Sequence, residues 1–264
     1  MRAVVDGWRL PQNWQETGWV YNGLTHDKIA TRPMTAWNGN PYCDPGAVLY
    51  LPGYPGTGAT IRDFSGQGNH GTITDAQWRR LASGLWYLYF DGTDDNVNVG
   101  TGASLNISNN LTIACWFNAD NIVGTKALVA KMTNAVGANV YNLSISDDNI
   151  RFFKGQPPLG GAENNIFAAG FTAGVWVFVA LTMADKAVNC YMGYNGVFST
   201  LAPWTAAVSG SDSNAAIATV IGERTDGASD FGGGIALPRI FGTTVKTATQ
   251  LHAMYHQERH LGGV

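Results

Sequence analysis

Aspartates gather at two places in this chain: Asp63 precedes a glycine-rich turn, and Asp91, Asp94 and Asp95 crowd into FDGTDDN. Such a set offers oxygen ligands to a hard cation such as calcium. Aspartates at turns also bond their own backbone, and that is the reading taken for Asp91 to Asp95, with no metal assigned. Glutamates are only four, Glu16, Glu163, Glu223 and Glu258, with no two close in sequence. Glycoside hydrolysis needs two carboxyl groups facing each other across a cleft, and no strand here carries alternating acids. There is no G-x-S-x-G nucleophile turn. The chain is therefore expected not to be an enzyme, and no catalytic residue or cofactor is assigned.

The remaining reactive side chains fit no signature either. Cys43, Cys115 and Cys190 are an odd, widely spaced set without C-x-x-C. Cys115 in LTIACWF and Cys190 in AVNCYMGY read as buried free thiols packed as small hydrophobes. A bridge between them would require adjacent strands. His252, His256 and His260 recur at helical spacing, but in HQERH the Glu stands two residues after the first His, where a zinc protease has it directly after. They read as the polar face of a terminal helix, with adventitious metal binding as the other reading. Gly66 to Gly71 spell G-x-G-x-x-G, yet Thr72-Ile73-Thr74 follows as a strand, where a dinucleotide site needs a helix N-terminus. That segment is expected to be a turn, with glycines taking positive φ.

The elements that carry these residues are strands. From Ala47 onward, short runs such as AVLYLPGY, GLWYLYFDG, DNVNVG, LTIACWFNAD, KALVAKM and VWVFVALTM are bounded by Gly, Asn, Asp or Pro. GLWYLYFDG, apolar almost throughout, is expected near the centre of a sheet. SISDD and NIRFF read as a hairpin, as do VWVFVALTM and AVNCYMGYN. Ser199 to Ala216 reads as a long loop or irregular crossing. TATQLHAMYHQERH has helical spacing at Leu251, Met254 and Tyr255, with Thr247 or Thr249 as cap. Regularly spaced short strands predict an all-β, two-sheet antiparallel sandwich over residues 47–264 with a short C-terminal helix. Residues 1–46 differ: Trp8, Trp14, Trp19 and Trp37 alternate with prolines and polar residues without a sustained period. They read as an extended arm whose aromatic side chains need a partner surface.

Composition limits the partners. Of 264 residues 45% are hydrophobic and only 13% charged, about half the usual charged share. With a formal net charge of −3 and no basic run beyond Arg79-Arg80, the chain is not expected to bind a phosphate backbone. No apolar stretch is long enough to span a bilayer. MRAVVDGWRLPQNWQE lacks the apolar core of a signal peptide, so synthesis and folding in a cytoplasm are expected.

Read in order, DFSGQGNHGTI, LYFDGTDDNVNVG and LTIACWFNAD resemble the laminin-G-like jelly roll of the concanavalin A-like lectin and glucanase superfamily. The resemblance runs from Ala47 to Arg259 and implies a jelly roll that binds glycans or proteins. It also implies a candidate structural calcium, but the late strand of that family carries an acidic G-x-I-D-D-V-R-I-like motif. This chain has Ala236 and Leu237 there, which argues against the ion. The E-x-D-x-E-like strand of the glucanase branch is absent. Among the tryptophans, Trp204 in a polar loop is the candidate sugar platform, with a loop anchor as the other reading. Trp8, Trp14, Trp19 and Trp37 are the candidate assembly residues. Lectin-type fold, aromatic arm and no export signal together point to a virus particle, assembled inside the cell. A capsid decoration protein or a fibre or tail component is expected, joined through the arm to other virion proteins or to its own copies. The alternative is a cellular carbohydrate-binding module or a lectin domain associated with a glycosidase.

Overall fold

The strand Leu111–Ala119 is apolar at nearly every position because both of its faces are covered. Leu111, Ile113, Cys115 and Phe117 enter one core, while Ala114 and Trp116 enter a second on the opposite face. Successive side chains of a strand leave opposite faces, so a run apolar throughout marks a strand buried on both sides. Its neighbour Val177–Ala184 repeats the division, with Val177, Val179 and Leu181 on one side and Phe178 and Ala180 on the other.

The structure is a computed structural model. It describes residues 46–53, 56–133, 139–154, 164–184, 187–205 and 214–263, together with the backbone of four short strands ahead of Gly46. A nine-stranded sheet runs in the order Pro203–Thr205, Asn164–Ala168, Asn149–Lys154, Asn139–Ser146, Thr125–Met132, Thr219–Ile221, Asn96–Gly100, Gly71–Thr74 and Thr60–Ile61. An eight-stranded sheet runs Val197–Leu201, Ala187–Tyr194, Val177–Ala184, Leu111–Ala119, Gly232–Phe241, Trp86–Asp91 and Gln77–Arg80. Its eighth strand, Ala47–Tyr50, shares the edge of Gly232–Phe241 that Trp86–Asp91 leaves uncovered. The switch between these two partners falls at Leu237, whose φ of 51° bends the strand there. The expected antiparallel sandwich is thus the observed one, with the larger core between the sheets.

The C-terminal helix Ala248–Gly262 is a third layer on the outer face of the eight-stranded sheet. Thr247 caps it: its Oγ1 accepts from Gln250 N at 3.2 Å while its own amide donates to Gln250 Oε1 at 2.9 Å. Leu251, Met254, Tyr255 and Glu258 form one buried stripe at helical spacing. Tyr255 stacks on Trp116 with ring centroids 5.7 Å apart. A Cβ at Gly193 would lie 2.2 Å from the Tyr255 ring, so only glycine lets the helix approach this closely.

Two expectations are corrected. Trp86–Asp91 is not central but next to the sheet edge, and Trp86, Tyr87 and Tyr89 are half-buried. Its continuous apolar character comes from side-chain cover on its outer face: Tyr87 meets Trp176 edge-on at 5.2 Å, and the Arg79 guanidinium lies 3.3 Å from the Tyr89 ring. Within the segment taken as a loop from Ser199, the chain instead continues the strand Val197–Leu201 and adds Pro203–Thr205. The strand Asn164–Ala168 carries little local signal, since its sequence NNIFA is short and polar at its start. The two hairpins form as expected but close one residue tighter than turns over Asp147-Asp148-Asn149 and Ala184-Asp185-Lys186 would, with Asn149 paired to Ser146 and Ala184 to Ala187. Ahead of Gly46, Val4–Val5 pairs with Trp8–Arg9, and Trp19–Tyr21 with His26–Lys28. Among the described residues no helix is long and apolar enough to cross a membrane.

Candidate functional site

The glycine-rich turn is a clasp built around one buried carboxylate. Asp63 Oδ1 accepts from the amides of Tyr50 and Ser65, and Oδ2 from Ser65 Oγ and the Asn69 amide, all at 2.8–2.9 Å. The Asp63 amide donates to His70 Nδ1 at 3.0 Å. Four donors occupy the carboxylate, which explains why Asp, Ser and Asn stand at these spacings. Gly66 and Gly68 take the positive φ the turn demands, and Gly71–Thr74 follows as a strand, as expected. Asn69 Nδ2 donates to Val48 O at 2.7 Å and to Ser104 Oγ at 2.9 Å, tying the clasp to the loop 103–110.

That loop is held from beneath as well. Tyr141 OH donates to Leu105 O at 3.2 Å, and the buried Lys154 Nζ donates to Ile107 O at 2.8 Å. Between these anchors, Asn106 donates its amide to Ala103 O at 3.1 Å. Beside the loop lies an open cleft of about 600 Å³, next to the point where the chain enters at Gly46. Gln67, Ser104, Asn106, Ser108, Asn109 and Asn110 supply its amides and hydroxyls, and among the described residues no charged or aromatic side chain lines it. Asn106 Oδ1 is a buried acceptor that meets no donor among the described residues. The sequence reading missed this cleft, because its parts come from four separate segments and carry none of the residue types that mark catalysis.

Asp91, Asp94 and Asp95 bring one carboxylate oxygen each to within 4.8 Å of one another. Asp91 Oδ1 accepts the Thr93 amide at 2.8 Å and Asp95 Oδ2 the Asp91 amide at 2.7 Å, so these are turn bonds, as read. Burial pushes the Asp95 carboxyl above its ordinary range, and Asp91, Asp94 and Asp75 push it further, against the Asp91 amide that lowers it. Glu223 is raised by burial and by Asp230, Asp226 and Asp94, against a bond from Asn96. The argument from Ala236 and Leu237 fails on register: Gly232 lies opposite Asp91, whereas Ala236 lies opposite Trp116. Four residues along a strand are about 13 Å, so those two bear on the helix layer and not on this cluster. The donor set, all carboxylate oxygen and mutually repelling, fits a hard divalent cation held by Asp91, Asp94 and Asp95.

The other candidates are dispersed. Glu258 is bound by Arg239, whose Nη2 lies 2.8 Å and 2.9 Å from its two oxygens, and by Trp116 Nε1 at 2.9 Å. Glu16 and Glu163 lie outside the described residues. Cys115 and Cys190 are buried free thiols on strands separated by Val177–Ala184, and burial raises both, Cys115 to about 12. Cys43 lies outside the described residues. His252 packs on Phe198 at 5.1 Å and on His256 at 5.1 Å. Trp204 sits on the edge strand of the nine-stranded sheet, paired with Asn164–Ala168 rather than in a loop. Trp8 and Trp19 lie on the short paired strands near the N-terminus, and Trp14 and Trp37 lie outside the described residues.

A family model described as the concanavalin A-like lectin/glucanases superfamily, of the laminin G type, matches residues 91–251. The chain belongs to this superfamily. No curated protein sequence matches it. Solved structures share the superfamily fold at low identity. The binding domain of Paraclostridial Mosquitocidal Protein 1 is 15% identical with a TM-score of 0.61, over 80% of this chain and 52% of that one. A botulinum neurotoxin type C structure, described as dependent for cell entry on interaction with two ganglioside molecules, is 13% identical with a TM-score of 0.56, over 80% and 50%. Domain 4 of AbnA, an extracellular arabinanase from Geobacillus stearothermophilus in complex with arabinotriose, is 16% identical with a TM-score of 0.57, over 79% of this chain and 97% of that domain. The chain spans about half the length of the toxin binding domains it matches.

Proposed function

We propose that this superfamily member is an adhesive, non-catalytic protein of a virus particle, a capsid decoration or a fibre or tail component. Its jelly roll recognises glycans, and its Trp-rich arm attaches it to other virion proteins or to copies of itself. The observation that carries the glycan half is the cleft beside the Asp63 clasp, a pre-formed hydrogen-bonding surface that is neutral among the described residues. Toxin domains and a glycosidase domain of the same fold, described with gangliosides and with arabinotriose, support it. The arm supports the virion half: Trp8, Trp14, Trp19 and Trp37 are the residue type that most often anchors an interface. Sedimentation of purified particles tests it, with the chain expected at a fixed copy number per particle. A chain found only outside particles overturns the virion assignment.

A second reading, a carbohydrate-binding module of a cellular glycosidase, is favoured by one observation: the arabinanase domain is matched over nearly its whole length. A catalytic domain encoded in the same polypeptide would decide for it.

A further inference from the structure

We infer that His252 and His256 on the C-terminal helix form a binding site for a borderline divalent transition metal such as zinc or nickel. The two stand at i and i+4 of Ala248–Gly262 and are both exposed, while Leu251, Met254, Tyr255 and Glu258 take the buried stripe. Helical side chains lean toward the N-terminus, so the His256 ring lies over the turn that carries His252. The ring centroids are 5.1 Å apart and the planes stand at 85° to each other. Zinc binds imidazole nitrogen at about 2.0–2.1 Å, and a tetrahedral angle then sets the two nitrogens ~3.3 Å apart. Rings at this centroid distance reach that separation by turning about their own χ angles, with the helix unmoved.

The surroundings hold the pair and select the ion. His252 rests on Phe198 with ring centroids 5.1 Å apart, a contact that limits its rotamers before any metal arrives. The helix has one carboxylate, Glu258, and it is turned inward onto Arg239 and Trp116. Among the described residues no third His, Cys or carboxylate gathers with the two. Two imidazole nitrogens without an oxygen ligand suit zinc, copper or nickel rather than calcium or magnesium, which sets this site apart from Asp91, Asp94 and Asp95. The spacing is the one at which H-E-x-x-H proteases hold their metal, but Ala253 stands where the general-base glutamate would. The pair therefore binds without hydrolysing, and a bound ion ties together two successive turns of the helix that seals the second core. His260 continues the spacing one turn on, but its ring meets no other ring among the described residues.

The test is an NMR titration of the isotope-labelled full chain with zinc chloride, with calcium chloride as the hard-ion control. Zinc should shift the imidazole signals of His252 and His256 and raise the thermal midpoint of the chain. His252→Asn and His256→Asn should each weaken binding about tenfold or more, since a single imidazole cannot chelate. Both residues are exposed, so each variant is expected to keep the wild-type urea midpoint in metal-free buffer. His260→Asn should bind zinc as the wild type does. Zinc binding at these imidazoles that survives either of the first two substitutions overturns the site. Loss of binding in His260→Asn with none in His252→Asn overturns it as well, because the chelating pair is then the one a turn further on. Calcium that shifts the same imidazoles to the same extent overturns the choice of ion. If excess zinc leaves both imidazoles unshifted, the proposal falls.

Discussion

Removing the Glu258 carboxylate should be among the most damaging single changes the helix layer can suffer. Glu258 and Arg239 have side chains only 3% and 1% exposed, and they meet at 2.8 Å beneath the helix. The same carboxylate accepts the Trp116 indole, so it joins helix, strand Gly232–Phe241 and strand Leu111–Ala119 at one point. An exposed pair would contribute about 0–1 kcal/mol. Here burial decides otherwise, because Glu258→Ala leaves the Arg239 guanidinium in the interior without the carboxylate it pairs with, at a cost of about 3–5 kcal/mol. Urea unfolding followed by tryptophan fluorescence measures it, read as a lowered midpoint at an unchanged slope. The double variant Glu258→Leu with Arg239→Met should recover most of the loss, since replacing both charges by apolar groups of similar volume is often neutral. A loss under about 1 kcal/mol in Glu258→Ala would show that the pair behaves as an exposed one, and a double variant no better than the single one would show that an unpaired buried charge is not the cause.

Further outcomes follow from the same packing and charge. Gly193→Ala places a Cβ 2.2 Å from the Tyr255 ring, and overpacking of this kind costs about 1–3 kcal/mol in urea unfolding. Asp63→Ala strips the acceptor from four donors and should cost ~3 kcal/mol or more, with faster hydrogen exchange at the Tyr50 and Asn69 amides. Because Asp95 and Glu223 are raised in the folded chain, the folded state holds protons that the unfolded chain has already released just above pH ~4. Stability should therefore fall as pH rises from there through the raised values, and Glu223→Gln should flatten that slope. Calcium should offset the same repulsion, so chelation should lower the thermal midpoint, and Asp94→Asn should abolish the difference.

Most of the architecture was legible because local signals and layers agree. The doubly apolar run around Cys115, the hairpin closing at Asp147-Asp148 and the cap at Thr247 each follow from a few neighbouring residues. Where the reading failed, the deciding partner was remote. Trp86–Asp91 looks central because Trp176 and Arg79, far away in sequence or across a strand, cover its outer face. The acidic cluster was half seen: Asp91 to Asp95 are contiguous, but Glu223, Asp226 and Asp230 join them only through the fold. Ala236 and Leu237 were placed beside that cluster by analogy, and the register with Trp116 and Leu88 removes them from it. The cleft left no trace in sequence, since serines and asparagines are also what any loop contains.

The chain is expected to bind polysaccharide without turning it over. Incubating the full chain with a panel of insoluble polysaccharides, and measuring both retained protein and released reducing ends in the same samples, tests it directly. Retention on at least one uncharged polysaccharide with no reducing ends above background is the predicted result. Reducing ends that appear with the wild type and vanish in Glu223→Gln, or a failure to be retained on any member of the panel, would contradict it.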